Sequence, residues 1–380
     1  MRILFTGDIN FRGREDLTKE ASEEILSELK PYLAKVDFRI PNLETPLAQK
    51  NKYEPIKKSG PNLICPPENI IFLKAFQADG VTLANNHIGD YGEGATKDTL
   101  TLLDENGIMY AGAGANIRQA YKAMYLKKDG ICVAIVSVCE NEFGIATEEK
   151  YGSAGYNPRL LLRQIKEEKE KADYVIVVFH GGNEYNPLPS PETVDRYRFI
   201  CDMGADAVIG GHTHCPQPYE LYNGKPIVYS MGNLLFKNVN KMDCKDSWYY
   251  GYISILDIGN TVKLQIIPYK FDKEVTKITI FKGESKEIMT NYIDNLCEIL
   301  QDKENLSNHF KGWVWSHKWV PRLPSENGKS GWNVAGDYNL VYCESHFSLV
   351  KEIFHVLFNE ETTLAEKYAV RIRKLQEMPV

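Results

Sequence analysis

Val208 to Pro218 reads VIGGHTHCPQP, with His212 and His214 on either side of one threonine, directly after an apolar run and a glycine pair. The run DAVIGG has the β-branched, Gly-ended look of a buried strand. In an extended segment residues two apart point to the same side. Both imidazoles are therefore expected to face one place, with Thr213 as a spacer, Cys215 turned away, and Gly210 and Gly211 leaving room for a close approach.

Four other strand-like runs end in the same kind of residue. RILFTG runs into Asp8, VDFRIPNL into Glu44, GVTLA into Asn85, Asn86 and His87, and DYVIVVF into His180. In open α/β sheets the ligand crevice lies outside the carboxyl ends of the strands, so five strands aim side chains into one region. Each residue alone has a plainer reading: Asp8 as a helix cap, Asn-Asn-His as a turn, a histidine as a packed polar group. Repetition at five equivalent positions favours a metal site. The donors mix carboxylate and amide oxygen with imidazole nitrogen, a set suited to manganese, iron or zinc, singly or as a pair, rather than to a structural zinc centre.

Further strands are expected at ICVAIVSV, KPIVYSM, YISILDI and VKLQIIPYKF, and amphipathic helices at Lys19–Lys35, Pro66–Ala78, Pro158–Ala172 and Pro191–Met203. This alternation to about residue 270 is the pattern of a layered α/β domain. Beyond it the chain turns helical at GESKEIMTNYIDNLCEILQ and at Glu344–Met378. Between these lies an aromatic stretch with Trp313, Trp315, Trp319 and Trp332, in which Trp313 and Trp315 alternate as on the buried face of a short strand. The expected organisation is a domain over 1–270 and a mostly helical extension over 271–380. His309, His317, His346 and His355 lack ligand spacing and receive no role.

With 43% hydrophobic and 25% charged residues the chain is neither disordered nor fibrous. A net charge of -6 without a basic block argues against a general nucleic-acid binder. No apolar run approaches the roughly 20 residues of a membrane-spanning helix, and eight scattered cysteines without a CxxC pair read as reduced thiols. A cytoplasmic location is expected.

TGDIN, PNLETPL, LANNHIGDYG, FHGGNEY, GGHTH and KPIVYSMGN together resemble the CapA family, the capsule or poly-γ-glutamate synthesis proteins of the calcineurin-like metallophosphoesterase superfamily, over about residues 1 to 240. The resemblance implies a four-layer α-β-β-α sandwich, here with a mostly helical C-terminal appendage, and two divalent transition metal ions that activate a water. It implies Asp8 and His214 on the first metal, Asn86, His180 and His212 on the second, Glu44 between them, and His87 as the acid that protonates the leaving group. Asn10 stands where the superfamily has a histidine, and is a weak ligand candidate. Arg12, Asn85, Asp90, Glu184, Tyr185 and Asn233 are candidates for substrate binding or for orienting the ligands; Arg14 reads as surface charge.

The expected function is a phosphoesterase-type hydrolase acting on a phosphorylated or anionic polymer. Two alternatives stand beside it: a non-catalytic accessory or binding subunit of a polymer synthase, and a metal-dependent γ-glutamyl amide hydrolase.

Overall fold

A computed structural model describes residues 1–238, 246–317 and 334–380. The chain opens with β1 (Arg2–Asn10), α1 (Lys19–Ile25), α2 (Lys30–Leu33), β2 (Phe38–Leu43), α3 (Ile70–Phe76) and β3 (Gly80–Thr82). It continues with α4 (Gly92–Glu105), β4 (Met109–Ala111), β5 (Ala113–Gly114), α5 (Ile117–Ala120), β6 (Met124–Lys128) and β7 (Ile131–Cys139). Next come β8 (Gly152–Ser153), α6 (Pro158–Lys169), β9 (Tyr174–His180), α7 (Pro191–Asp202), β10 (Ala207–Gly211), β11 (Tyr219–Tyr222) and β12 (Lys225–Val228). The last strands are β13 (Asn233–Phe236), β14 (Tyr250–Ile258), β15 (Val262–Phe271) and β16 (Ile278–Ile280).

Two sheets result. One has the order β16-β15-β14-β1-β2-β3-β4, and the other β11-β12-β10-β9-β7-β6, with β5 and β8 as a small separate ribbon. In the first sheet β1, β2, β3 and β4 run parallel, and in the second β7, β9, β10 and β12 do. The carboxyl ends of both parallel sets therefore supply the residues of interest.

Alternation along β9 explains the layering. Ile176 and Val178 pack into the same core as Leu4, Ile40 and Val81, between the sheets. Val175, Val177 and Phe179 face the other way, against Leu161, Ile165, Val194 and Tyr197 of α6 and α7. A parallel strand covered on both faces must be apolar on both, which is why this run shows no polar alternation. Leu26, Leu29, Phe72 and Phe76, from the helical layer on the far side of the first sheet, belong to the same continuous cluster. The layer order is helix, sheet, sheet, helix.

Local signals account for the helix starts. Ser190 and Asn157 cap α7 and α6 by accepting the backbone N–H groups of Thr193, and of Arg159 and Leu160, with proline at the first helical position. The expected single helix over Lys19–Lys35 is instead α1 and α2, separated by a turn at 26–29. Pro31 has no N–H for the Ser27 carbonyl and its ring crowds that group.

Among the described residues the helical C-terminal part contains α8 (Gly283–Gln301), α9 (Lys303–His317), α10 (Val334–Tyr342), α11 (Glu344–Phe358) and α12 (Thr362–Gln376). The aromatic stretch departs from expectation: Trp313 and Trp315 lie in α9, not on a strand, with Trp313 buried among helices and Trp315 half-buried. Trp319 and Trp332 fall outside the described residues. The first sheet also runs past residue 270, through β16. The C-terminus returns to that sheet, where Met378 joins the inner core and the Tyr250 hydroxyl donates to the Val380 carbonyl. The described cysteines are free thiols; Cys244 lies outside the described residues.

Candidate metal centre

The site begins with an irregularity in β1. Its pairing with both β2 and β13 shifts register beside Asp8, and a Cβ on Gly7 would sit 1.6 Å from the Gly232 carbonyl oxygen. Only glycine permits that approach, and the bulge re-aims the next side chain. Asp8 is fully buried, accepting from Asn42 Nδ2 at 2.7 Å and from the His212 backbone N–H at 3.1 Å.

Around Asp8 the strand ends converge. His180 Nδ1 lies 3.7 Å from Asp8 Oδ1, and His214 Nδ1 3.6 Å from Oδ2. Glu44, also fully buried, has Oε1 3.4 Å from His180 Nε2 and 3.9 Å from His214 Nε2. His180 Nε2 is 3.1 Å from Asn86 Oδ1 and 3.2 Å from His212 Nδ1. Two groups of ligand atoms, Glu44/His180/His212 and Asp8/Glu44/His214, each fit within 4.8 Å. Glu44 belongs to both.

Both Glu44 oxygens lack a hydrogen-bond partner although no water reaches them. Burial, then the carboxylates of Glu184 and Glu142, push its carboxyl well above the ordinary range. Burial and Glu44 likewise raise Asp8 to about 7. His180, His212 and His214 are all lowered, burial first. Neutral imidazoles packed round two carboxylates are the donor set that a divalent cation satisfies. The residues present fit metal.

The HTH segment differs from the expected extended geometry. β10 ends at Gly211, and His212 and His214 adopt positive φ, 89° and 57°. Left-handed backbone at a non-glycine residue costs about 1–2 kcal/mol. Partners hold it: Asp8 accepts from the His212 N–H, and Asn233 Oδ1 lies 2.9 Å from His214 Nδ1. The two rings thus converge by backbone twist, not by strand alternation. Cys215 is buried with Sγ 3.2 Å from the Asn186 carbonyl.

His87 has Nδ1 2.6 Å from Asp90 Oδ2 and Nε2 3.9 Å from Glu44 Oε1. Asp90 also accepts from Lys58 Nζ at 2.5 Å and from the Leu63 N–H. Burial and the Lys58 ammonium lower His87 to about 4. Asn85 shapes the loop instead of facing the cluster, donating to the Leu43 carbonyl and accepting from the N–H groups of His87 and Ile88. Asn10 has its amide engaged with the Glu44 carbonyl at 2.7 Å and the Arg12 N–H at 2.9 Å. Arg14 reaches the carbonyls of Glu274 and Val275.

A cavity of about 620 Å³ opens over Asn86 and His87. Glu184 and Tyr185 line it, and Tyr185 stacks on Trp248, whose ring lies 4.7 Å from that of His214. Its far wall comes from α9, α10 and α11 and includes His317 and His346, two histidines to which spacing assigned nothing. Asn42, Lys58 and Glu142 also went unrecognised. Asn42 precedes Glu44 by two within PNLE, and this proximity to a candidate ligand was the available signal. Lys58 and Glu142 sit in loops without periodicity, and only folding brings them to the site.

Among the described residues no helix is long and apolar enough to cross a membrane. Solved structures similar to this chain include a novel phosphatase of Mycoplasma pneumoniae (14% identity, TM-score 0.41, covering 74% of this chain and 91% of that one). A 5'-nucleotidase precursor of Thermus thermophilus gives 12% identity and TM-score 0.40, over 80% and 60%. Among curated relatives, capsule biosynthesis protein CapA of Bacillus anthracis is 31% identical over 329 residues, covering 84% of this chain and 76% of that protein. PGA biosynthesis protein CapA of Bacillus subtilis is 32% identical over 238 residues, 61% of this chain and 62% of the relative's length. The profile of the bacterial capsule synthesis protein family PGA_cap matches residues 2–238, and this chain belongs to that family.

Proposed function

We propose that this protein is a metal-dependent hydrolase that cleaves phosphoesters, working on a phosphorylated or anionic substrate in capsule or poly-γ-glutamate synthesis. The observation that carries the reading is Glu44, a buried carboxylate with both oxygens unpartnered, shared between Asp8/His214 on one side and His180/His212 on the other. Asp8, Glu44 and His214 would hold one cation, and Glu44, His180 and His212 the other, with Asn86 beside His180. Two divalent ions, of manganese, iron or zinc, would supply Lewis acidity and an activated water.

The chain's own residues do the rest. Asn42 orients Asp8 by donating to it at 2.7 Å, and lies 3.3 Å from His180 Nδ1. Asn233 holds His214. Asp90 fixes His87 through Nδ1, which leaves Nε2 facing the cluster. Burial and the Lys58 ammonium keep that ring neutral until a phosphoryl dianion arrives; the added negative charge favours the imidazolium, formed by a proton from solvent water at Nε2, and that proton then passes to the leaving alkoxide. Among the described residues, α9, α10 and α11 wall the far side of the cavity.

The test is elemental analysis of the purified protein followed by assay with 4-nitrophenyl phosphate and its bis-ester under each restored metal. Turnover that vanishes on chelation and in Glu44→Gln supports the proposal; a metal-loaded protein inert to both esters sinks it. A second reading, an accessory subunit of a polymer synthase, is favoured by one relative's name, "Probable polyglutamine synthesis accessory protein" of Mycobacterium tuberculosis, 27% identical over 227 residues. Its outcome would be a metal-free chain co-purifying with a ligase.

A further inference from the structure

We infer that the cavity wall built by the C-terminal helices is a binding subsite for an ammonium group, carried by a ligand whose phosphoryl end lies at the metal cluster. Only the placement of that phosphoryl end rests on the function proposed above.

Asn183, Asn339 and Trp313 line the cavity, each at most 5% exposed. The side-chain oxygens of both asparagines and the Trp313 indole nitrogen have no hydrogen-bond partner. The amide orientations are set by chemistry. Asn183 Nδ2 donates to the Ser345 carbonyl at 3.3 Å, and Asn339 Nδ2 to Glu142 Oε2 at 3.2 Å. Both partners only accept, so each amide must turn its nitrogen to them and keep its oxygen for a donor. Three chain segments far apart in sequence thus leave unspent hydrogen-bonding capacity at one wall, which buried polar groups rarely do.

That capacity is mostly acceptor. The carboxylates of Glu142, Glu184 and Asp337 share the lining with the two amide oxygens. Lys58, the ammonium among the described lining residues, is already committed to Asp90. Tyr185 also lines the cavity, and the Trp313 N–H can donate to one oxygen of the same ligand. A chain of carboxylates would meet like charge here.

Glu142 joins the subsite to the cluster. Its Oε1 lies 3.8 Å from His212 Nε2, while its Oε2 holds Asn339. One molecule can therefore span both, and the volume of about 620 Å³ suits a small or extended ligand of this kind. The chemical class is a phosphorylated primary amine.

Calorimetric binding of aminoalkyl phosphates of graded length to the metal-loaded protein tests this, each against the alkyl phosphate with methyl in place of ammonium. At the best length the ammonium ligand should bind roughly tenfold tighter or more. Asn183→Leu with Asn339→Leu should remove most of that preference, and Asp337→Asn, which keeps side-chain shape, should reduce it. Equal binding of amine and alkyl phosphates at every length overturns the subsite. So does a preference that survives in the double variant and in Asp337→Asn. Because binding is read without turnover, a protein that hydrolyses no ester but keeps the preference refutes the proposed activity and leaves the subsite standing.

Discussion

Asn42 donates to Asp8 at 2.7 Å, and the same Nδ2 lies 3.3 Å from His180 Nδ1. One amide thereby orients a carboxylate on one sheet and lies against an imidazole on the other. Asn42 itself is held by Thr82, whose hydroxyl donates to Oδ1 at 3.1 Å. Replacing an orienting neighbour of this type lowers metal affinity by about 10–100-fold. Asn42→Leu should do so with a stability loss of about 1–3 kcal/mol from the stranded Asp8 and Thr82 groups. Competitive chelator titration and urea unfolding check the two effects; unchanged affinity refutes the orienting role.

The cation sites should empty separately. His214→Ala removes a donor from the Asp8/Glu44/His214 group alone, so metal content should fall by about half while the His180/His212 group stays loaded. Glu44→Gln weakens both groups and should leave little metal after dialysis. Plasma emission analysis reads both variants, and equal losses would contradict a shared Glu44.

Metal binding should stabilise the fold. At a free metal concentration about a hundredfold above Kd the gain is ~2.7 kcal/mol. Scanning calorimetry with and without chelator should show it as a raised Tm in the wild type and almost none in Glu44→Gln.

Glu220 offers a pH test away from the site. Arg198 donates to it twice, at 2.9 and 2.7 Å, and the Tyr229 hydroxyl at 2.6 Å. Burial raises the carboxyl, but Arg198 and Tyr229 outweigh burial and hold it below its ordinary value. A depressed folded value means that the stabilisation is present above the unfolded pKa of about 4.3 and is lost as pH falls through the folded one. Glu220→Gln should cost ~2 kcal/mol at pH 7, Arg198 being partly exposed. Urea titrations should find the gap to wild type narrowing below about pH 4; a gap independent of pH would contradict the assignment.

Gly7→Ala should be among the most damaging small changes. The new Cβ would meet the Gly232 oxygen at 1.6 Å, and moving β1 from β13 displaces Asp8. A loss above about 3 kcal/mol is expected; denaturant unfolding with near-wild-type stability would show that the strands can part cheaply.

The strands and most helices were readable because burial on one or two faces imposes periods of 2 and 3.6 on the chain. The runs ending at Asp8, Glu44, Asn86, His180 and His212 could be found one by one, since a polar residue after an apolar run marks a strand end. Lys58, Glu142, Trp313 and Asn339 could not. Their roles depend on loops and helices with no period that points at the cluster, and the strand-like alternation of Trp313 and Trp315 was misleading inside α9.

By itself the sequence determined the alternating α/β pattern, the strand ends where donors collect, and the resemblance carried by GGHTH, LANNHIGDYG and their companions, all of them local in the chain. Tertiary structure decided that His212 and His214 converge through left-handed backbone, that Glu44 is shared between two groups, that His87 is held neutral, and that the C-terminal helices wall the cavity. Those outcomes depend on contacts between residues up to some two hundred positions apart, such as Asn141 with Glu344, and on burial, which no local pattern encodes.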